Sequence, residues 1–334
     1  MPTFCRHNHL VQNCPICSRE QSIELRPIVS SSAPRSTLPR SPGQGPARSR
    51  TASSRSASTR SGSGAGLRVR RLARGADDGY QSHLVPGLRS SVDAENLAEE
   101  LAFAATRLAE LEHRPPGLYA DVAAPDRDLE ERTWLGFLIA YLSPLDGDEP
   151  FASIQAAFVP WASGEPPALD DLELGPRTAH DPARAQQTVD AYRAWAARAG
   201  SQAAAFTGES AWTPERRFER VVERLALPGF HRDARFDLLV TLGRLGAYDL
   251  RAGTLRFGGD NDVTVAAKRA LGIGDTLLLE RRAAELADAC GLPLDALDLG
   301  FFNWERGTRA TLGADLGTEP DPEVLTATKD ALGL

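Results

Sequence analysis

Three of the four cysteines fall in one short run, Cys5-Arg-His7-Asn-His9 followed by Cys14-Pro-Ile-Cys17. The run supplies a Cys-x-His pair and a Cys-x-x-Cys knuckle. Zinc asks for four soft or borderline donors in a tetrahedron, and a segment this short cannot bury enough apolar surface to fold without metal. Cys5, His7, Cys14 and Cys17 are the expected Zn2+ ligands, with His9 as a substitute for His7. Four protein ligands leave no open coordination position, so the expected role is structural, or a docking surface for a protein partner. A redox Cys-x-x-Cys and an unstructured tail are the competing readings.

A second constellation is Gly272-Ile273-Gly274. Before it, Val263, Ala266, Ala267 and Ala270 form one helical face; after it, Asp275 is placed to cap a second helix running to Ala289. This reads as helix, hairpin, helix over 262–290. The glycines permit a tight turn and a close backbone approach, so that amides at the start of the second helix can hold a DNA phosphate oxygen. Gly272 and Gly274, with Lys268 on the first helix, are the expected phosphate contacts; an ordinary glycine C-cap is the plainer reading. A dinucleotide-binding turn is excluded, because the third glycine and the preceding strand are both missing. No Gly-x-x-x-x-Gly-Lys-Ser/Thr loop, His-Glu-x-x-His or Gly-x-Ser-x-Gly occurs in the chain.

The elements that must position these groups are helical. Leu97, Leu101, Ala104 and Leu108 repeat at helical spacing within Asp93 to Leu111, and Pro115-Pro116-Gly117 ends that stretch. Further helices are expected over Asp128 to Tyr141, Pro150 to Phe158, Pro182 to Ala199, Pro214 to Leu225 and Arg232 to Leu245. The helix from Pro214 carries the clearest signals: Thr213 as N-cap, proline in the first turn, and Phe218, Val221, Val222 and Leu225 on one face. No segment has a comparable strand period, although Thr254 to Phe257 could be a short extended piece. An all-α class follows.

With 334 residues, 42% of them apolar, the chain can bury a substantial core. Its longest apolar run, Trp134 to Leu142, has nine residues, about half of what a bilayer-spanning helix needs. The N-terminus lacks the uninterrupted apolar stretch of a signal peptide, so a cytoplasmic location, with nucleoid association as a variant, is expected and a membrane partner is not. The net charge of −7 hides an asymmetry. Arg26 to Gly75 holds eleven arginines and no acid, which leaves −18 for residues 76 to 334. Ser, Arg, Pro and Gly dominate from Ser30 to about Gly66, the composition of a disordered linker. Such a linker can double as a polybasic arm that binds DNA through phosphates in a salt-dependent way. Lys268 and Lys329 are the only lysines, so cationic contacts must come from arginine. The expected organisation is a zinc knuckle over 1–25, the linker over 26–76, a helical domain over 77–310 and a C-terminal tail over 311–334.

The order of motifs resembles the helix-hairpin-helix DNA glycosylases. Pro228-Gly229-Phe230-His231-Arg232-Asp233-Ala234-Arg235-Phe236 precedes the hairpin, and Pro293-Leu294-Asp295-Ala296-Leu297-Asp298 follows its second helix. In that superfamily a Gly-Phe/Tyr-x-x-basic helix leads to a Gly-x-Gly hairpin, and an Asp five residues after a Pro lies at the active site. The resemblance puts Asp298 in that place. The lysine that would follow the hairpin is replaced by Asp275-Thr276, and there is no C-terminal cysteine cluster, so neither a Schiff-base lyase nor an iron–sulfur cluster is implied.

Most of Asp77 to Glu305 is more specifically similar to the alpha-glutamyl/putrescinyl thymine pyrophosphorylase family, in its bacterial branch with an N-terminal Cys/His segment. PPGLY (115–119), FLIAYL (137–142), AYRAWAARAGSQ (191–202), WTPERRFERVVERLALPGFHRDARFDLL (212–239), AAKRALGIGD (266–275) and ALDLGFFNW (296–304) carry the similarity. The resemblance implies a helix-hairpin-helix glycosylase-like core. It implies a reaction in which an amine donor, putrescine or glutamate, displaces pyrophosphate from a pyrophosphorylated 5-hydroxymethyluracil in DNA. The scaffold allows two alternatives: excision of a modified base, and DNA binding without catalysis. Both chemistries need a base flipped from the stack beside a positioned carboxylate.

Asp298 would activate water or orient the amine, with His231 as an acid–base group and Gln202 as a wedge replacing the flipped base. Arg216, Arg217, Arg220, Arg232 and Arg235 would take up phosphate or the departing pyrophosphate. The sequence does not decide whether Mg2+ takes part. Each of these residues also has a plainer role. Asp298 could cap its helix, Gln202 could be a polar loop residue, His231 could simply precede a helix, and Arg216 and Arg220 could form solvated pairs with Glu219 and Glu223. Trp304 reads as core, with stacking on a base as the alternative, and Cys290 as a buried small hydrophobe.

Overall fold

Capping side chains start the helices where short polar residues precede apolar stripes. In the computed structural model, which describes residues 75–314 and 319–334, helix α1 (Ser91–His113) begins behind Ser90, whose hydroxyl accepts the Asp93 amide. Helix α2 spans Leu118–Ala123. Helix α3 (Leu129–Leu142) begins behind Asp128, whose carboxylate accepts the Glu130 and Glu131 amides. The short α4 (Ala152–Ala157) and a 3-10 turn (Trp161–Ser163) lead into an irregular stretch that ends at α5 (Ala185–Ala199). There follow α6 (Gln202–Thr207), α7 (Pro214–Arg224), α8 (Arg232–Arg244), α9 (Asp262–Leu271), α10 (Thr276–Cys290), α11 (Ala296–Arg306) and α12 (Pro322–Leu332).

The described residues contain no strand. Thr254 to Phe257 is irregular: the Leu255 and Phe257 amides donate to the Glu280 carboxylate of α10, both at 2.7 Å, where a strand would need a neighbour.

Among the helix crossings that build the core are α11 on α1 and α3 on α8. Helix α11 lies against α1 so closely that a Cβ on Gly300 would stand 2.7 Å from Leu101 Cδ2. Helices α3 and α8 pack together, and between α3 and α5 runs an aromatic stack in which the Phe137 and Tyr192 rings are 3.9 Å apart. Trp134 and Tyr141 extend it along α3. Stacked buried rings of this kind contribute about 0.5–1.5 kcal/mol per pair beyond their area.

The helical body does not stop at 310. Ala310, Thr311 and Leu312 are buried, the Arg107 guanidinium donates to the Leu312 carbonyl at 3.3 Å, and α12 packs on α1 and α10. Residues 311–314 and 319–334, expected as a tail, therefore pack as part of the body, with Tyr80 Oη donating to the Leu332 carbonyl at 2.6 Å. No described helix is long and apolar enough to cross a membrane.

Candidate active-site cleft

The hairpin is a helix end followed by a helix start. Gly272, at φ +65°, terminates α9 in the left-handed region that glycine occupies without strain. Asp275 caps α10, its carboxylate accepting the Leu278 amide at 3.0 Å. The first-turn amides of Thr276 and Leu277 lie beyond any intrahelical acceptor. Gly274 is open, with nothing within 4 Å of where a Cβ would stand. The turn is braced from behind by Gly87, whose N–H donates to the Ala270 carbonyl at 3.0 Å and whose missing side chain lets it lie against the Arg269 carbonyl. Lys268, half-buried, sits on the last turn of α9. Leu277 is 81% exposed beside the turn.

The other end of α9 opens on a cleft of about 350 Å³, walled by Arg177, His231, Arg232, Asp233, Phe302 and Arg306, among others, and by the loop from Gly258 to Asp262. Ten residues of helix separate this end from the hairpin, about 15 Å. His231 is exposed at the N-cap of α8 and makes no side-chain cap.

Asp298 lies in the first turn of α11, behind the cleft wall, and is 2% exposed. It does not cap its helix. One oxygen accepts Arg177 Nη2 at 2.6 Å, and the other is bonded to Arg232 Nη1. Arg177 also forks Asp237, with Nε at 2.7 Å and Nη2 at 2.9 Å from its two oxygens. Arg232 further contacts Asp233 at 3.1 Å and the Leu255 carbonyl. Burial pushes the Asp298 carboxyl up from the ordinary carboxylate range, against the pull of Arg232 and Arg177. For the two guanidiniums burial acts the other way, but the surrounding carboxylates outweigh it and raise both. Arg177 Nη1 and Arg232 Nε are buried with no acceptor. The guanidiniums of Arg177 and Arg306 both lie over the Phe302 ring, 4.6 and 5.0 Å from its centre.

Several expected site residues stand elsewhere. Gln202 is 0% exposed: its Oε1 accepts Tyr192 Oη at 2.6 Å, and its Nε2 donates to the Glu130 carbonyl at 2.9 Å. A side chain so placed is an interior lock, and the wedge role is corrected on that ground. Arg217 is likewise consumed by structure, donating to the carbonyls of Thr207, Trp212 and Asp249 and to the Asp249 carboxylate. It has no guanidinium edge left for phosphate.

Arg235 is half-buried and donates to the Val222 carbonyl at 3.1 Å. Burial and the nearby Arg232 and Arg256 lower its pKa. Arg216 and Arg220 are exposed on α7, and Arg220 meets Glu223 at 3.5 Å, the weak solvated pair. Of the five arginines expected to hold phosphate, only Arg232 reaches the cleft; Arg177 and Arg306 are the additions. Trp304 is core, its indole N–H donating to the Asp93 carbonyl at 3.0 Å. Cys290 is also buried, which pushes its thiol up to about 11.

Cys5, His7, Cys14 and Cys17 lie outside the described residues, as do residues 26–74 of the linker expected over 26–76. Among the described residues no group of three His, Cys, Asp or Glu side chains could hold a metal ion. Comparison with known proteins finds no matching family model, no similar curated protein and no similar solved structure.

Proposed function

We propose that this protein modifies a thymine-derived base in DNA, transferring an amine of the putrescine or glutamate type onto pyrophosphorylated 5-hydroxymethyluracil with release of pyrophosphate. The observation that carries the reading is the buried Asp298 held by Arg177 and Arg232 at the back of a cleft, about 15 Å along α9 from a Gly-x-Gly hairpin. A duplex held at the hairpin by backbone amides would bring a flipped nucleotide to that distance, and a cleft of about 350 Å³ is at the lower end of ligand pockets.

The chemistry divides among named groups. The amine nucleophile must lose a proton as its nitrogen bonds to the methylene carbon and the carbon–oxygen bond to pyrophosphate breaks. Asp298, behind the wall, is the carboxylate that the resemblance assigns as base or as the group that orients the amine, and His231, exposed on the wall, is the other candidate acceptor. Arg177, Arg232 and Arg306 supply the positive charge that a departing pyrophosphate needs. Zinc at Cys5, His7, Cys14 and Cys17 would organise the N-terminal segment and take no part in the reaction.

The test is nucleoside mass spectrometry on DNA bearing thymine, 5-hydroxymethyluracil or its pyrophosphate ester, incubated with the protein and putrescine or glutamate, alongside Asp298→Asn. An amine adduct absent from the mutant supports the transferase. Released base with abasic sites would replace it by a glycosylase, and unaltered nucleosides with salt-dependent binding would leave a DNA-binding module.

A further inference from the structure

The two arginines that hold Asp298 are not held alike. Arg177 is fully buried, and its contacts come from three separate parts of the fold: both oxygens of Asp237 on α8, Phe302 on α11, and Ser143 after α3, whose hydroxyl accepts the Arg177 amide at 3.3 Å. Withdrawing this guanidinium would strip Asp237 and Asp298 together of their counter-charge inside the protein, the costly way to break a buried pair. Arg232 shares the cleft wall with Arg177, and each has one buried nitrogen without an acceptor, but 12% of the Arg232 side chain is exposed where Arg177 shows none. Apart from Asp298, Arg232 holds its own neighbour Asp233 and a carbonyl of the irregular stretch at Leu255, and it lies over the Phe236 ring of α8 at 4.6 Å. Asp298 itself lies behind these groups, so a ligand in the cleft, whose wall also carries Asp233, Asp260 and Asp262, meets Arg232 before it meets Asp298.

We propose that Arg177 is the positioning residue for Asp298 and Arg232 its exchangeable partner: a phosphoryl oxyanion entering the cleft takes over Arg232, and the carboxylate oxygen so released faces the ligand while Arg177 keeps the other in place. A guanidinium exchanges a carboxylate for a phosphoryl group readily, since its planar fork matches both. No covalent bond changes in this step and no proton need move. The oxyanion has two sources, a phosphodiester of the DNA or free pyrophosphate, and both present the same chemistry to Arg232. The inference rests on Asp298 being the reacting carboxylate, but its test needs no turnover.

The full-length protein is labelled with 13C at aspartate carboxyls, the Asp298 resonance is assigned by its loss in Asp298→Asn, and inorganic pyrophosphate or a short single-stranded thymidine oligonucleotide is titrated in. The expected result is a saturable movement of the Asp298 resonance, abolished in Arg232→Gln while that variant's helical circular dichroism is retained. Movement with pyrophosphate alone identifies the free anion, and movement with the oligonucleotide alone identifies the backbone phosphate. No movement with either probe overturns the exchange.

In Arg177→Lys, charge is kept but one ammonium cannot fork Asp237 and also hold Asp298, so the resonance should broaden or double. A single sharp line at the wild-type position would overturn the positioning role. Should Arg177→Lys not fold, Asp237→Asn loosens the same fork from its other end and is read the same way. Resonance movement without any base chemistry on DNA would remove the proposed function and leave the clamp standing.

Discussion

Two glycines two residues apart in the hairpin should respond differently to the same substitution, and the difference separates a phosphate grip from a mere turn. Gly274 has no positive φ and open space where a side chain would go, so Gly274→Val should change stability by no more than about 0.5 kcal/mol, the range of ordinary surface changes. Gly272 sits at φ +65°, and a Cβ there would lie 3.3 Å from the Gly87 nitrogen. Gly272→Val must bear about 1–2 kcal/mol of left-handed strain before any crowding of that brace. For a body of this size, such a loss lowers Tm by about 2–8 °C.

DNA affinity should follow another order. If an amide at the start of α10 donates to a phosphate oxygen, the bulk of a valine at Gly274 blocks that approach, and a hydrogen bond to a charged group is worth about 1.5–3 kcal/mol. Affinity should then fall by about 10- to 150-fold. The assay is fluorescence anisotropy on a labelled duplex at one fixed salt concentration, paired with thermal melts of the same preparations. Wild-type affinity in Gly274→Val, with the fold intact, would refute the phosphate grip and return the glycines to ordinary capping.

Other changes test the interior and the metal. Gln202→Ala removes the partner of the Tyr192 hydroxyl and leaves Glu130 with fewer donors, so it should destabilise by about 1–3 kcal/mol in urea melts while DNA affinity is unchanged; loss of affinity without loss of stability would restore the wedge. Burial raises the Glu280 carboxyl against its bonds from the Phe257 and Leu255 amides, so the folded protein binds this proton more tightly than the unfolded chain. Its contribution is full below the unfolded value and lost as pH rises through the folded one. The stability of wild type relative to Glu280→Gln should therefore grow between pH 7 and pH 4.5, and a difference that shrinks would show the sign to be wrong. Elemental analysis should find about one zinc per chain, absent in Cys14→Ser.

The helices whose signals were local were legible. Thr213 with Pro214 gave the start of α7, and Asp128 that of α3, because a cap is a contact between neighbours. The α12 helix carried the same signals, Asp321 as N-cap and Pro322 in the first turn, but has only Thr328 and Leu332 buried and so little apolar stripe to announce it. Arg217 was legible in principle: it lies four residues before Val221 and eight before Leu225, on the buried stripe of its helix, and a charged residue there must satisfy its donors inside. Arg177 was not. It lies in the irregular stretch before α5, with no periodicity to say which way it faces, and its partners are 60 and 121 residues away. Asp237 likewise reads as an ordinary helix-surface acid until Arg177 is placed against it. Clusters assembled from remote segments leave no spacing in the sequence to read.

The brace that Gly87 gives the hairpin also constrains how the body can be assembled. Residues 86 and 87 leave the ribosome first, yet the carbonyl of Ala270 that receives the Gly87 N–H is made about 180 residues later. The two helices of the hairpin can form against each other as soon as they emerge, but the turn between them reaches its final form only when the waiting upstream segment docks. A fragment beginning at α1 would therefore contain every hairpin residue and still leave the end of α9 with one carbonyl unanswered.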